Sequence, residues 1–154
     1  MASIVNNIMA EVEARLNTIP NLAEDVYRPT KNGDFLIVNR AIVLTHEDIE
    51  SDDELSCPGN PPKTAWVLPV RVVCIVVPDD DATASLDIGE NDFGVEAMDA
   101  ITTPQASWHQ FDGNAVNATL TPLVNFHPGD DTARAVLFTI RVTYRVDETS
   151  QATL

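Results

Sequence analysis

The thirteen residues from Ala65 to Val77, AWVLPVRVVCIVV, constrain the fold more than any other part of the chain. β-Branched residues dominate, and both alternating sets of positions are apolar. That pattern suits a strand covered on both faces, not one with a wet side. The segment therefore predicts a central strand. Pro69 and Arg71 interrupt it well short of the roughly 18 apolar residues that span a bilayer. Pro69 also lacks an amide, so a bulge or an unpaired position is expected there.

A central strand needs neighbours and a cover. The second long strand is at the other end of the chain, where Val136, Phe138, Ile140, Val142, Tyr144 and Val146 alternate with Ala135, Leu137, Thr139, Arg141, Thr143 and Arg145. Before it, Val116, Ala118, Leu120, Val124 and Phe126 alternate with polar residues and form the predicted buried face of a strand. Pro122 marks an edge or a bulge in it. His127-Pro128-Gly129-Asp130-Asp131 is a turn, so these two runs predict an antiparallel hairpin. A shorter strand is expected over Ala41 to Leu44, after an irregular stretch from Asn21 to Asn39 that holds Pro29 and the Asn32-Gly33 turn signal.

The cover is helical. Ile4, Val5, Ile8, Met9, Val12 and Leu16 recur at steps of three and four, with Ser3 as N-cap and Pro20 as stop. Leu86, Phe93, Ala97 and Ile101 predict a second helix, with Ser85 or Asp87 as N-cap; Gly89 and Gly94 each cost it about 1 kcal/mol relative to Ala. The segment 47–62 carries six acidic residues, then Cys57, Pro58, Gly59, Pro61 and Pro62, and is expected to be a solvated loop. The resulting expectation is one α+β domain over 1–154. A mixed or antiparallel sheet of about four to five strands carries two helices on one face, in the order α-β-β-α-β-β.

Charge narrows the function. Nine Lys plus Arg against 24 Asp plus Glu give a formal net charge of −15, the wrong sign for gripping nucleic acid phosphates. Two cysteines make no disulfide framework, and no apolar leader opens the chain, so secretion is not expected. The glycine-rich phosphate loops and the Gly-x-Ser-x-Gly elbow are absent from the sequence, and His46, His109 and His127 accompany no nucleophile motif. Cys57 and Cys74 have no partner at zinc-ligand spacing, and Cys74 reads as a core side chain. Neither Asp79-Asp80-Asp81 nor the cluster around Asp52 has the spacing of a calcium loop, so both read as solvated faces. No catalytic residue, metal or cofactor is expected.

What stands out instead is contact chemistry. Trp108 and Phe111, in SWHQFDG, either plug the edge of the core or present a surface. Arg141 and Arg145 share the polar face of the last strand, as a solubilising pair or as a subunit contact. Asp52 and Asp53 head the acidic segment.

The element order, the strand WVLPVRVVCIVV, the Trp108, Phe111 and Gly113 segment and the closing strand Val136–Val146 together resemble the tail terminator proteins of long-tailed bacteriophages, over nearly the whole chain. The resemblance implies a structural virion protein without an active site. Such a protein forms a homohexameric ring, caps the tail tube, ends tail elongation and joins the tail to the head-tail connector or neck, at the head-proximal end of the tail. Its assembly takes place in host cytoplasm, away from membranes. Genomic DNA passes through the lumen without specific binding, and acidic bore walls keep it from adhering. One or both of the acidic segment 47–63 and the turn at 127–132 are expected to order only on assembly. Candidate contacts are Arg141, Arg145, Asp52, Asp53, Trp108 and Phe111. Rival readings are another connector, neck or tail tube subunit, an acidic ligand- or metal-binding domain or enzyme, and an acidic DNA mimic that binds a basic protein.

Overall fold

The computed structural model of the chain describes residues 3–20, 22, 26–28, 40–57, 63–76, 86–126 and 134–147. Helix α1 spans Ile4–Leu16, and its Val5, Ile8, Met9, Val12 and Leu16 are buried at the expected spacing. The Ser3 hydroxyl accepts a hydrogen bond from the Asn6 amide at 3.1 Å. A side-chain cap of this kind stabilises a helix by about 1 kcal/mol.

Six strands follow: β1 (Arg40–His46), β2 (Glu50–Cys57) and β3 (Lys63–Val76), then, after helix α2 (Leu86–Ile101), β4 (Asn117–Leu120), β5 (Val124–Phe126) and β6 (Arg134–Asp147). They form one sheet in the order β1-β3-β6-β4, with β2 also on β3 and β5 also on β6, and every pairing between them is antiparallel. β3 is central, as its composition requires. It pairs with β6 without a break, from Lys63 opposite Asp147 to Val76 opposite Arg134. Both sets of its side chains include buried members: Leu68, Val70, Val72 and Cys74 on one face, Ala65, Val67 and Ile75 on the other, where Arg71 is exposed. The first set joins Phe138, Ile140, Val142 and Tyr144 of β6 under α1 and α2 in the main core. The two helices thus cover one face, as expected.

Two expectations need correction. The acidic segment is not all loop: Glu50–Cys57 is strand β2, so the sheet has six strands in the order α-β-β-β-α-β-β-β. A strand ladder joins backbones and does not ask for apolar side chains, and charged residues are common on edge strands because they stay solvated there. β1 and β2 lie end to end along the same side of β3. His46 pairs with Val70 and Glu50 with Val67, leaving a one-residue shift between them. The Glu47 amide donates to the Pro69 carbonyl at 2.9 Å. The N–H and C=O of one strand residue point to the same side, so the amide that Pro69 lacks would face this junction. The expected irregularity at Pro69 is the break between β1 and β2.

The second correction concerns the edge near Pro122. β4 ends with Leu120 opposite Ile140 and β5 begins with Val124 opposite Leu137, another one-residue shift. A shift of one turns side chains over. Val124, placed in the buried set by simple alternation, faces outward at 54% exposure, and Val116 before β4 is also exposed. Leu123 packs on the core instead.

Helix α2 buries Phe93, Ala97 and Ile101. It starts at Leu86, which puts Asp87 inside the helix and not at its cap; Ser85 lies outside the described residues. Gly94 explains itself through packing. A Cβ there would lie 2.9 Å from Leu123 Cδ2 and from Val136 Cγ1, so glycine lets the helix pack against these side chains without displacing them. Arg40 of β1 fastens the other side of α2, bonding to Glu96 with its guanidinium 4.3 Å from the centre of the Phe93 ring. The turn at 127–132 lies outside the described residues.

Candidate functional site

After α2 the chain makes a short 3-10 turn at Trp108–Gln110 and then passes through three residues of left-handed backbone, Phe111 (φ 45°), Asp112 (φ 55°) and Gly113 (φ 83°). A bulky residue in that region costs on the order of 1 kcal/mol. The surroundings offset it. The Phe111 carbonyl accepts bonds from the Asn114 amide at 3.1 Å and from Asn114 Nδ2 at 2.9 Å. The Phe111 ring is fully buried, with the Arg15 guanidinium 4.6 Å from its centre and Trp108 edge-on at 6.3 Å. Phe111 is therefore a core plug with no surface to offer a neighbour, which leaves half-buried Trp108 as the exposed member of the pair.

Arg15 holds this corner together. Its Nη1 donates to the carbonyls of Ile101 at 2.8 Å and Trp108 at 2.9 Å, and its Nε donates to Glu11 at 3.1 Å. One guanidinium thus ties α1 to the end of α2 and to the 3-10 turn. Beside it lies an open cleft of about 370 Å³, lined by Glu11, Arg15, Ser107, Gln110 and Asp112 among others. The cation in its wall is engaged with Glu11 and two carbonyls, and the remaining charged groups are acidic, so the cleft is poorly suited to an anionic ligand.

Arg141 and Arg145 do share one face of β6, the face turned away from the helices. Arg141 is exposed and donates to Glu50 of β2 at 3.1 Å, and Arg145 is half-buried. On the same face Arg71 of β3 bonds to Glu47 at the β1–β2 junction. Both Arg71 and Arg141 therefore tie the acidic edge to the sheet. Asp52 and Asp53 lie on β2; their side chains fall outside the described residues. The structure brings the acidic edge and Arg141 together on the outer face and leaves the Trp108 segment at the end of the helices. Sequence reasoning missed Arg15, whose only local signal was Glu11 four residues earlier, and missed Glu47 and Glu50 as partners of arginines far along the chain.

Elsewhere the chemistry is quiet. Among the described residues no group of three His, Cys, Asp or Glu side chains is placed to hold a metal ion, and no helix is long and apolar enough to cross a membrane. Cys74 is buried, and burial pushes its thiol up to about 12, with Arg40 pulling the other way. Such a thiol is unreactive at neutral pH. Trp66 and Tyr144 face each other across the β3–β6 ladder, and the indole N–H and phenol oxygen are both buried without a partner among the described residues. Burial raises Tyr144 above the ordinary phenol value.

No family model matches the sequence. No curated protein matches it either. Among solved structures, the chain is similar to the PVC sheath/tube terminator of an extracellular contractile injection system, determined by electron cryo-microscopy in the extended state. The TM-score is 0.50 and the sequence identity 11%. The match covers 96% of this chain and 58% of that one, so this chain spans little more than half the neighbour's length. At this identity the likeness is one of fold. The chain has an α+β fold of the kind found in a sheath/tube terminator.

Proposed function

We propose that this chain is a tail terminator, with residues 1–154 forming a single domain of that type. It acts as a structural subunit of a bacteriophage virion. Six copies close into a ring on the last ring of the tail tube, stop tube growth and present the opposite surface to the head-neck connector. The observation that carries this reading is the fold shared with a sheath/tube terminator over 96% of the chain. The mechanism is geometric. A heterologous contact that repeats with a sixth of a turn closes, and a closed ring bound to the tube end occupies the surface on which the next tube subunit would add. No bond-making step is required. The net charge of −15 per copy suits a bore that conducts DNA without holding it.

The neighbour's name supports a second, narrower variant, in which the particle is a contractile injection system and the ring meets sheath as well as tube. Electron micrographs of particles decide between them and test both. The expected result is density for this chain at the head-proximal end of a tail, and loss of the gene gives tubes of uncontrolled length without heads. Particles that assemble to normal length without the chain rule the reading out.

A further inference from the structure

In a chain with 21% charged residues, the stretch from Gly113 to Gly129 holds none, and at seventeen residues it is the longest uncharged run in the sequence. The structure puts the described part of this run along one edge of the sheet, as β4 and β5. Three of the four large apolar side chains exposed among the described residues border it: Val116 at 41%, Val124 at 54%, and Val95 at 50%, next to the Gly94 that Leu123 packs against. The fourth, Ile49, sits at the β1–β2 junction on the opposite edge.

Free sheet edges invite pairing, and proteins that avoid it place charge on them. The two edges here differ in this respect. The β2 edge carries Glu50, Asp52, Asp53 and Glu54, and β1 beside it is partly occupied, since Tyr27 exchanges bonds with the Ile42 carbonyl at 2.9 Å and the Leu44 amide at 2.8 Å. The β4–β5 edge carries no charge. The bond from the Thr121 amide to the Thr139 carbonyl and the register of β4 on β6 turn the odd-numbered residues toward β6, which leaves the N–H and C=O of Ala118 and Leu120 pointing outward. Pro122 falls between the two strands and removes no amide from either.

We infer that the β4–β5 edge is a strand-pairing surface for a second copy of this chain, and that it receives the β2 edge of that copy. Topology favours this occupant. Strands alternate in direction along β1-β3-β6-β4, so the outermost two are antiparallel to each other. A neighbour that adds its β1–β2 side to β4–β5 therefore continues the antiparallel order while keeping the same orientation as the first copy, as a head-to-tail ring needs. Electrostatics agree. Two surfaces of a protein this acidic repel unless one is neutral, and an uncharged edge accepts an acidic one without like-charge contact.

The inference rests on the ring proposed above, and its test is separable from that reading. Native mass spectrometry of the full-length protein at rising concentration is compared for wild type, Asn117→Glu with Thr119→Glu, and Asn117→Lys with Thr119→Lys, with circular dichroism confirming the fold. Both positions are exposed on β4. The glutamates face the acidic β2 of the neighbour and are expected to weaken self-association about tenfold or more, an effect that added salt reduces. The lysines are expected to leave it unchanged or tighter. If both pairs weaken it, the edge meets its own copy about a two-fold axis and the inference fails; if neither does, the edge is not the contact and the inference fails while the ring stands. A wild type that stays monomeric throughout also overturns it, and micrographs still decide the ring. Should the glutamates unfold the protein, Thr119→Cys mixed with Glu50→Cys, two positions on the outer face, both in Cys57→Ser, gives the second reading. Crosslinks are expected between the two variants and not within either one; the reverse overturns the inference.

Discussion

On the face beneath the helices, β6 presents Val136, Phe138, Ile140, Val142, Tyr144 and Val146, all buried; on the other face the same strand mixes buried Ala135 and Thr143 with Leu137, Thr139, Arg141 and Arg145, which are half-buried or exposed. β3 repeats the contrast, with Val70, Val72 and Cys74 inside and Arg71 outside. From Val136 to Val146 the inner face of β6 carries no charge, and this fixes register, because a slip of one residue along β6 would drive Arg141 and Arg145 into the core. The outer face tolerates charge, and the arginine–carboxylate pairs of Arg71 with Glu47 and Arg141 with Glu50 are solvated ones of small energetic weight. The inner surface is committed to folding along its whole length, whereas the outer one combines a small buried cluster around Ile75 and Ala135 with exposed charge.

That contrast can be broken by substitution. Phe138→Ala should cost about 3–5 kcal/mol of stability in urea unfolding, as expected for emptying a buried aromatic site; a loss below about 1 kcal/mol would show that the inner face is not the principal core. Arg15→Met leaves the Ile101 and Trp108 carbonyls without their shared donor, and a loss of about 2–4 kcal/mol is expected by the same measurement.

The inner face should also declare itself in alkali. Cys74 holds its proton to about 12 in the folded state against 9.0 unfolded, so between those values the unfolded chain binds fewer protons and stability falls as pH rises. Tyr144, raised by burial, acts in the same direction above its ordinary value of 10.0. The loss due to Cys74 is roughly 2–3 kcal/mol by pH 11. Cys74→Ala should flatten that part of the profile, and an unchanged profile would remove the thiol from the account.

Gly94→Ala places a methyl group against Leu123 and Val136. It should cost about 1–2 kcal/mol despite the better helix propensity of alanine. The smallest effect on folding is expected on the outer face, where Arg141→Glu with Arg145→Glu should change stability by less than about 1 kcal/mol. The same pair should abolish ring closure or tail joining. Wild-type assembly by the double variant would take both arginines out of the contact.

Much of this division was legible in the amino-acid order. Strict alternation over Val136–Val146 gave the buried face of β6 residue by residue, and the doubly apolar run gave the central position of β3. What escaped had physical causes. β2 escaped because backbone pairing leaves no mark on side-chain hydrophobicity. Simple alternation puts Val124 on the wrong face because the shift beside Pro122 reverses parity, and a proline announces an irregularity without saying how many residues it absorbs. At the candidate site, Arg141 was visible from parity alone, while its partner Glu50, 91 residues earlier, was not. Arg15 reads as one half of a helical ion pair, and only the folded chain brings two carbonyls to it.

The missing amide of Pro69 has one more effect. It divides the hydrogen bonding along that side of β3 into two separately closing zips, with β1 on one and β2 on the other, while β6 backs both without a seam. Peeling β2 away therefore stops at the proline and leaves β1 and its helix anchor in place. The continuity of the sheet therefore rests on β6 and not on the acidic strand.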